Sequence, residues 1–178
     1  MKKLMMLLML LAACGCASSY RWSPKVPAKY RTVSVPVFRN ESQLNELGSE
    51  MTRQMLREFQ REGTFKIRRA GDSALEVQGV VKGVGVGSRA YDRRMHLRYS
   101  GYEMTATVEI SVIDKLNGKV LVNNKVFKPE THFTASQDLT TSERDAAGRL
   151  GDDLSRLVVD MMLELDYEKA DSEEEKAK

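Results

Sequence analysis

The chain has 178 residues, of which 28 are Lys or Arg and 25 are Asp or Glu, so its formal net charge is +3. This near balance is not typical of a dedicated nucleic-acid-binding protein, whose domain carries a basic patch or stripe. Once the two ends described below are set aside, about 140 residues remain, enough for one domain with its own core.

The first sixteen residues, MKKLMMLLMLLAACGC, predict a secretory signal over residues 1–13. Lys2 and Lys3 precede an apolar run from Leu4 to Ala13. The run is too short to span a bilayer as a helix, which takes about 20 residues. An ordinary signal peptide that is cut nearby is the alternative to the lipidated form considered next.

Leu11-Ala12-Ala13-Cys14 resembles the lipobox of bacterial lipoproteins. In that class the cysteine is acylated and becomes the first residue of the mature chain, so Cys14 is the predicted lipid anchor. Cys16 is a competing acceptor, but the preferred aliphatic residue is missing before it. Gly15, rather than Asp, follows Cys14, which by resemblance to enterobacterial lipoproteins favours the outer membrane. The sequence has no further cysteine, so it predicts no disulfide framework.

Both ends of the mature chain are polar. Residues 14–31 contain two prolines and are interpreted as the lipidated cysteine and a tether. Residues 166–178 hold six acids and three lysines and predict a solvated, disordered tail. A single domain is therefore expected over residues 32–165.

Hydrophobic periodicity gives the order of elements inside that domain. Residues 32–38 alternate as a strand, although Pro36 indicates an edge or a bulge. Apolar spacing from Leu44 predicts a helix, for which Asn40-Glu41-Ser42 supplies candidate caps and Gly63 a stop. A short return at 65–67, strands at 75–86, 102–113 and 120–127, and a helix that opens at residues 140–142 complete the order. The stripe of this last helix is Ala146, Leu150, Leu154, Leu157, Val158, Met161 and Leu165.

This order predicts an α/β (α+β) fold. A sheet with one apolar face must bury it, and two amphipathic helices are available to cover it. We therefore expect a two-layer sandwich in which two amphipathic helices pack on one face of a four-stranded, mixed, largely antiparallel sheet. The other face of the sheet, with its Glu and Thr side chains, is expected to stay wet.

The motifs that would indicate an enzyme or a cofactor are weak. Residues 85–90 match the loose form G-x-G-x-x-A, but no helical stripe follows to bring helix amides to a pyrophosphate. The glycines are instead expected to mark bulges or a close approach of a helix backbone. His96 and His132 are too few for a histidine-rich metal site, and no nucleophile elbow is present. We expect no catalytic residues, no metal and no cofactor.

Two groups of arginines remain. Arg53, Arg57 and Arg61 recur every four residues on the first helix, where nearby glutamates predict intrahelical ion pairs. In contrast, the segment from residue 89 to residue 98 has few acids, and its arginines offer planar forks for phosphate. Its candidate lipopolysaccharide- or anion-binding residues are Arg89, Arg93, Arg94 and Arg98. A solvated hairpin whose arginines pair with acids elsewhere is the alternative.

The lipobox, the segment RTVSVPVFRNESQLNELGSEMTRQMLREFQREGTFKI and the closing helix RDAAGRLGDDLSRLVVDMML together resemble the LptE-type lipopolysaccharide-assembly lipoproteins. The resemblance covers roughly residues 11–165, and Phe38-Arg39-Asn40 before an amphipathic helix is its best local match. It implies two helices on a four-stranded sheet. The resemblance implies that basic residues bind lipopolysaccharide, but it does not identify their positions. The four numbered arginines are therefore our own inference.

The resemblance also implies a function. Such a protein is lipid-anchored in the outer membrane, with its domain on the periplasmic side or inside the lumen of a large β-barrel partner, LptD. It serves as plug and assembly factor of that barrel, binds lipopolysaccharide during delivery to the cell surface, and is not an enzyme. A generic envelope lipoprotein with a structural or secretion-system role is the alternative.

Overall fold

The computed structural model describes residues 26–92, 98–134 and 139–167, and within them only the backbone of residues 89–92, 98–100 and 139–140. Over these ranges two helices cover one face of a mixed sheet. The predicted α+β, two-layer class is confirmed, whereas the predicted number of strands needs correction.

After a 3-10 turn at Ala28–Tyr30, the elements follow the predicted order. The strands are β1 (Thr32–Ser34), β2 (Arg39–Asn40), β3 (Lys66–Ile67), β4 (Leu75–Asp92), β5 (Arg98–Asp114), β6 (Val120–Phe127) and β7 (Glu130–Phe133). The helices are α1 (Leu47–Glu62), between β2 and β3, and α2 (Leu139–Glu164), after β7.

The described sheet has seven strand segments, so the prediction of four strands is wrong. Their order is β3-β1-β4-β5-β6, with β2 also paired to β4 and β7 also paired to β5. Two prolines account for most of the excess, because proline has no N–H to give to a ladder. Pro36 lies between β1 and β2, which run parallel to β4, and Pro129 lies between β6 and β7, which run antiparallel to β5. The prediction of a mixed, largely antiparallel sheet is confirmed.

The two prolines affect the register differently. Ser34 pairs with Glu76 but Arg39 pairs with Val80, so the chain around Pro36 carries one residue more than the strand beside it. This is the predicted bulge. At Pro129 the register of β6 continues into β7, and the Pro129 carbonyl accepts the N–H of Ala106 at 3.1 Å.

Strand β5 shows why the sheet has one dry face. Its even-numbered residues from Met104 to Val112 are fully buried against the helices, and the odd-numbered residues from Glu103 to Ser111 are half-buried on the other face. This is the alternation of period two that the sequence predicts. The second face of the sheet is therefore only partly exposed to solvent.

Helix α1 ends where predicted and begins later than predicted. Gly63 takes a left-handed φ of 83°, and its N–H reaches the Phe59 carbonyl at 3.2 Å. At the other end the residue before the helix is Glu46, which makes no side-chain capping bond, so the prediction of a cap at residues 40–42 is wrong. The Asn40 amide is used within the preceding loop instead, where it donates to the Leu44 carbonyl at 2.7 Å.

Helix α2 lies beside α1 along a seam of small residues. A Cβ added at Gly151 would lie 2.9 Å from Gln54 Cγ and 3.3 Å from Met51 Cα. Leu150, Leu154 and Val158 of the predicted stripe are fully buried, but Leu157 is 44% exposed. The helices thus approach each other closely at Gly151, and Leu157 lies off this contact.

The two ends of the described chain meet at one end of the sheet. The Tyr30 ring stacks on the Tyr167 ring at 5.0 Å, and its hydroxyl donates to the buried Asp114 carboxylate at 3.0 Å. Val26 is also fully buried. Packing in the domain thus includes residues that the sequence analysis assigned to the tether and to the tail. Residues 1–25 and 168–178 lie outside the described residues.

Candidate functional site

The four candidate arginines fall on the long β4–β5 hairpin. Arg89 belongs to β4, at an irregularity of register between Ser88 and Ala90. Arg98 opens β5 and pairs through its backbone with Asp92, the last residue of β4. Arg93 and Arg94 lie between these paired residues, outside the described part of the chain. The hairpin backbone thus brings the two strands that carry Arg89 and Arg98 together.

This part of the hairpin extends beyond the rest of the described sheet. On one side β2 stops at Asn40, opposite Val81, and on the other β7 stops at Phe133, opposite Tyr102. Beyond Tyr102 the described hairpin is therefore a two-stranded ribbon. From residue 88 to residue 92 the ribbon rises by about 13 Å, at about 3.3 Å per residue. We call residues 89–98 the arginine end of the hairpin.

A side-chain-free strip leads to the arginine end on the outer face of the sheet. Gly83, Gly85 and Gly87 lie opposite Thr107, Thr105 and Glu103. A Cβ added at any of these three glycines would meet nothing within 4 Å. A shallow depression of about 350 Å³ lies here, lined by Gly85, Val86, Gly87, Ser88, Glu103 and Thr105.

The glycines were expected to mark bulges or the close approach of a helix. A register shift between Val81 and Gly83 confirms the bulge. The close approach of a helix backbone is wrong for Gly83, Gly85 and Gly87, which face open space. Gly79, earlier in the strand, is crowded, but by the Phe38 ring and not by a helix. Glycine spacing alone does not separate the two cases, because both require the absence of a Cβ.

A cluster of charged side chains lies next to Gly83, at the start of the strip formed by Gly83, Gly85 and Gly87, which we call the glycine strip. Lys82, in the bulge, lies 2.7 Å from one Glu41 oxygen, and the Arg39 guanidinium donates to the other. Hydrogen bonds from Lys82 and then Arg39 lower the pKa of the exposed Glu41 carboxyl to about 2. The same contacts with Glu41 raise the pKa values of Arg39 and Lys82. The sequence analysis missed this cluster, since its members come from segments that only the sheet brings together.

A second depression, of about 220 Å³, lies where β7 ends. Gly101, Tyr102, His132, Phe133 and Thr134 line it, and the rings of Tyr102 and Phe133 stack at 5.3 Å. It therefore offers aromatic surface close to the arginine end. Within residues 26–92, 98–134 and 139–167, no three His, Cys, Asp or Glu side chains are grouped so as to hold a metal ion.

The basic stripe of α1 is confirmed as an ion-paired helix face at two of its three positions. Arg53 lies 2.7 Å from Glu50, and Arg61 lies 2.8 Å from Glu58. Arg57 instead donates to Gln54 at 3.4 Å. Such exposed pairs contribute little to stability. These arginines are a matched set against which the arginine end can be tested.

No helix in the described ranges is both long enough and apolar enough to cross a membrane.

The described chain forms a two-layer α+β domain from which the β4–β5 hairpin projects. A family model described as "LptE: Lipopolysaccharide-assembly" matches residues 30–162. The chain therefore belongs to the LptE family of lipopolysaccharide assembly, which confirms the resemblance found in the sequence.

Two solved structures share the fold. A hypothetical protein from Chlamydia trachomatis is 12% identical with a TM-score of 0.53, over 75% of this chain and 96% of its own. A protein from Xanthomonas campestris is 12% identical with a TM-score of 0.53, over 83% of this chain and 93% of its own. At this identity the likeness shows the fold alone. No curated protein sequence matches the chain.

Proposed function

We propose that this chain is an outer-membrane lipoprotein, acylated on Cys14, that serves as plug and assembly partner of a large LptD-like β-barrel. We further propose that the arginine end of its hairpin contacts lipopolysaccharide. The observation that carries the proposal is the family match over residues 30–162. The protein acts by binding and positioning, without catalysis.

The layout of the domain supports an orientation relative to the lipid anchor. Tyr30 is buried and bonded to Asp114, the last residue of β5, and Val26, the first residue of the described chain, is also buried. The arginine end includes Arg98, the first residue of the same strand. These ends are about 50 Å apart along the strand, at about 3.3 Å per residue. An anchor at one end would therefore direct the arginine end away from the headgroups of the leaflet that holds the acyl chains.

The chemistry of the arginine end suits lipopolysaccharide. A phosphorylated glycolipid presents anionic groups beside apolar chains. Arginine pairs with phosphate in two-point fashion, and the stacked rings of Tyr102 and Phe133 offer apolar surface nearby. The glycine strip leaves the adjoining sheet face open to a bulky ligand.

The barrel partnership is tested by a pull-down of the tagged, full-length lipoprotein from detergent-solubilised native membranes, with partners identified by mass spectrometry. We expect one large outer-membrane barrel in near equal amount. Depletion of the chain should also reduce lipopolysaccharide at the cell surface. Recovery of the lipoprotein alone, or with cell-wall components, would contradict the barrel partnership.

The arginine end is tested by changing Arg93, Arg94 and Arg98 to Ser. Affinity for purified lipopolysaccharide should fall on the order of tenfold, since charge-assisted contacts to phosphate are lost. The matched control is the same change at Arg53, Arg57 and Arg61, which should leave the affinity unchanged. Thermal melts establish that both variants fold. Equal binding by the two triple variants would contradict the assignment.

A further inference from the structure

We propose that the end of the sheet opposite the arginine end docks on the anionic headgroups of a phospholipid membrane. This basal surface consists of loop 68–72 and turn 115–119. The basal surface lies at the end of the domain where the described chain begins, next to the tether. It takes no part in the lipopolysaccharide contact proposed above. The inference rests on the proposed function in one respect, the acyl anchor on Cys14.

Backbone hydrogen bonds bring the two parts of the basal surface together. The N–H of Lys115 donates to the Ala74 carbonyl at 2.7 Å, and Leu75 pairs with Asp114 across β4 and β5. Ala74, two residues beyond loop 68–72, is thus bonded to the first residue of turn 115–119, so the end of the loop lies close to the turn. Arg68 and Arg69 are exposed on that loop.

Turn 115–119 carries an apolar side chain between two lysines. Leu116 is 56% exposed, and Lys115 and Lys119 stand on either side of it in the turn. The Asp114 carboxylate accepts the N–H groups of Leu116 at 2.8 Å and of Asn117 at 3.3 Å, which fixes the turn. An exposed leucine flanked by cations is the combination that enters the boundary between headgroups and acyl chains.

The charge exposed at this end is mostly positive. Two of its acids, Glu76 and Asp114, are buried, and Glu76 lies 3.5 Å from Lys115. Lysine and arginine near a membrane surface are attracted to anionic lipids over about a Debye length. The cations at this end include Lys29, Arg31, Arg68, Arg69, Lys115 and Lys119, and its exposed acids include Asp72, Glu164 and Asp166.

Because the tether keeps the domain close to the membrane, even a weak attraction between the basal surface and the lipid is sufficient for docking. Cys14 lies twelve residues before Val26, so the linking segment spans at most about 40 Å. Val26 is buried, and its carbonyl accepts a hydrogen bond from Arg31 Nε at 3.1 Å, which fixes where the tether joins the domain. An acylated chain thus holds the basal surface at a high effective concentration near the lipid.

The acidic tail opposes docking. Residues 168–178 hold five acids and three lysines and follow the buried Tyr167 at the same end of the domain. A chain that ends at Tyr167 is therefore expected to remain docked at a higher salt concentration than the full chain.

The test uses the full lipidated chain with Cys16→Ala, inserted into vesicles of phosphatidylethanolamine and phosphatidylglycerol. An environment-sensitive fluorophore is placed on Leu116→Cys, or on Val86→Cys as the distant control. Val86 is 42% exposed and pairs with Met104, about 33 Å from Asp114 along β5. Nitroxide-labelled lipid should quench the label at residue 116 and spare the label at residue 86. Phosphatidylcholine vesicles should give little quenching at either residue.

Charge reversal completes the test. Arg68→Glu with Arg69→Glu should abolish quenching at residue 116, while the chain still floats with the vesicles. The matched control, Arg53→Glu with Arg57→Glu, should leave the quenching intact. A floating chain whose label at residue 116 is not quenched, or is quenched no more than that at residue 86, contradicts the docking and leaves the anchor standing. If the chain does not float with the vesicles, both the docking and the acyl anchor on Cys14 are contradicted.

Discussion

The ring of Phe38 lies directly on the backbone of Gly79. A Cβ added at Gly79 would fall 2.5 Å from Phe38 Cδ2 and 2.6 Å from Phe38 Cγ. The Phe38 N–H donates to Thr52 Oγ1 at 2.9 Å, so the residue also joins β4 to α1. The Phe38-Arg39-Asn40 segment that carried the family resemblance is thus a packing element of the domain.

Gly79→Ala should destabilise the domain, because the ring of Phe38 is buried against Gly79 and a Cβ there would displace it. We expect a loss of about 1–3 kcal/mol in the free energy of unfolding, as for other overpacked cores. Urea denaturation measures it. Gly85→Ala, on the same strand but facing open space, is the control and should be neutral or slightly stabilising. Equal stability of the two variants would show that the ring adjusts freely.

The close contact between the helices predicts different effects of the change to alanine at two glycines of α2. A Cβ at Gly148 would lie 3.7 Å from Glu50, an ordinary contact, so Gly148→Ala should stabilise the helix by about 0.5–1 kcal/mol. At Gly151 the same change meets Met51 Cα at 3.3 Å, and Gln54 must also move. The gain in helix propensity should therefore be lost there. Thermal unfolding of the two variants compares them, and a Gly151→Ala protein as stable as Gly148→Ala would argue against a close seam.

The cluster of Glu41, Arg39 and Lys82 predicts an acid-dependent contribution to stability. The pKa of Glu41 is lowered to about 2 in the folded protein, from an ordinary value near 4.5. A carboxyl with a lowered folded-state pKa stabilises the fold above its unfolded pKa and loses this effect as the pH falls through the folded pKa. The stability difference between the natural chain and Glu41→Gln should hence shrink between pH 5 and about pH 2.

Salt provides the control for that cluster, since all three side chains are exposed and their attraction is screened. Raising the salt concentration at neutral pH should reduce the same stability difference. A difference that depends on neither pH nor salt would mean that Glu41 acts through packing alone.

The contact between Tyr30 and Asp114 predicts a loss on removal of one hydroxyl. Tyr30→Phe keeps the stacking on Tyr167 but takes one donor from a buried carboxylate. We expect about 1–3 kcal/mol less stability, the cost of weakening a hydrogen bond to a buried charged group. Tyr167→Phe, which removes a bond to the Met162 carbonyl, serves as comparison. Unchanged stability in Tyr30→Phe would show that Asn117 and the turn amides satisfy Asp114 alone.

Burial raises the pKa of Tyr167. A group with a raised folded-state pKa contributes stability that is present below its unfolded pKa and declines above it. The extra stability of the natural chain over Tyr167→Phe should accordingly decline as the pH rises above about 10, the ordinary tyrosine pKa. Chemical denaturation at neutral and alkaline pH measures the change, and a pH-independent difference would contradict it.

The sequence by itself determined the order of elements, the dry face of β5 and the end of α1. These follow from spacing that acts within one element: alternation of period two from Met104 to Val112, and a glycine free to take a positive φ at residue 63. The family could also be predicted from the sequence, because the resemblance rests on the same order of elements.

Only the tertiary structure decided which glycine is crowded and which is open, which helical leucine faces solvent, and that Tyr30 and Tyr167 belong to the core. It also brought Arg39 and Glu41 to Lys82, and Ala74 to Lys115. Each of these relations joins residues distant in sequence, whose spacing carries no periodic signal. They depend on strand register and on how closely two helices approach, and both are fixed only when the whole core packs.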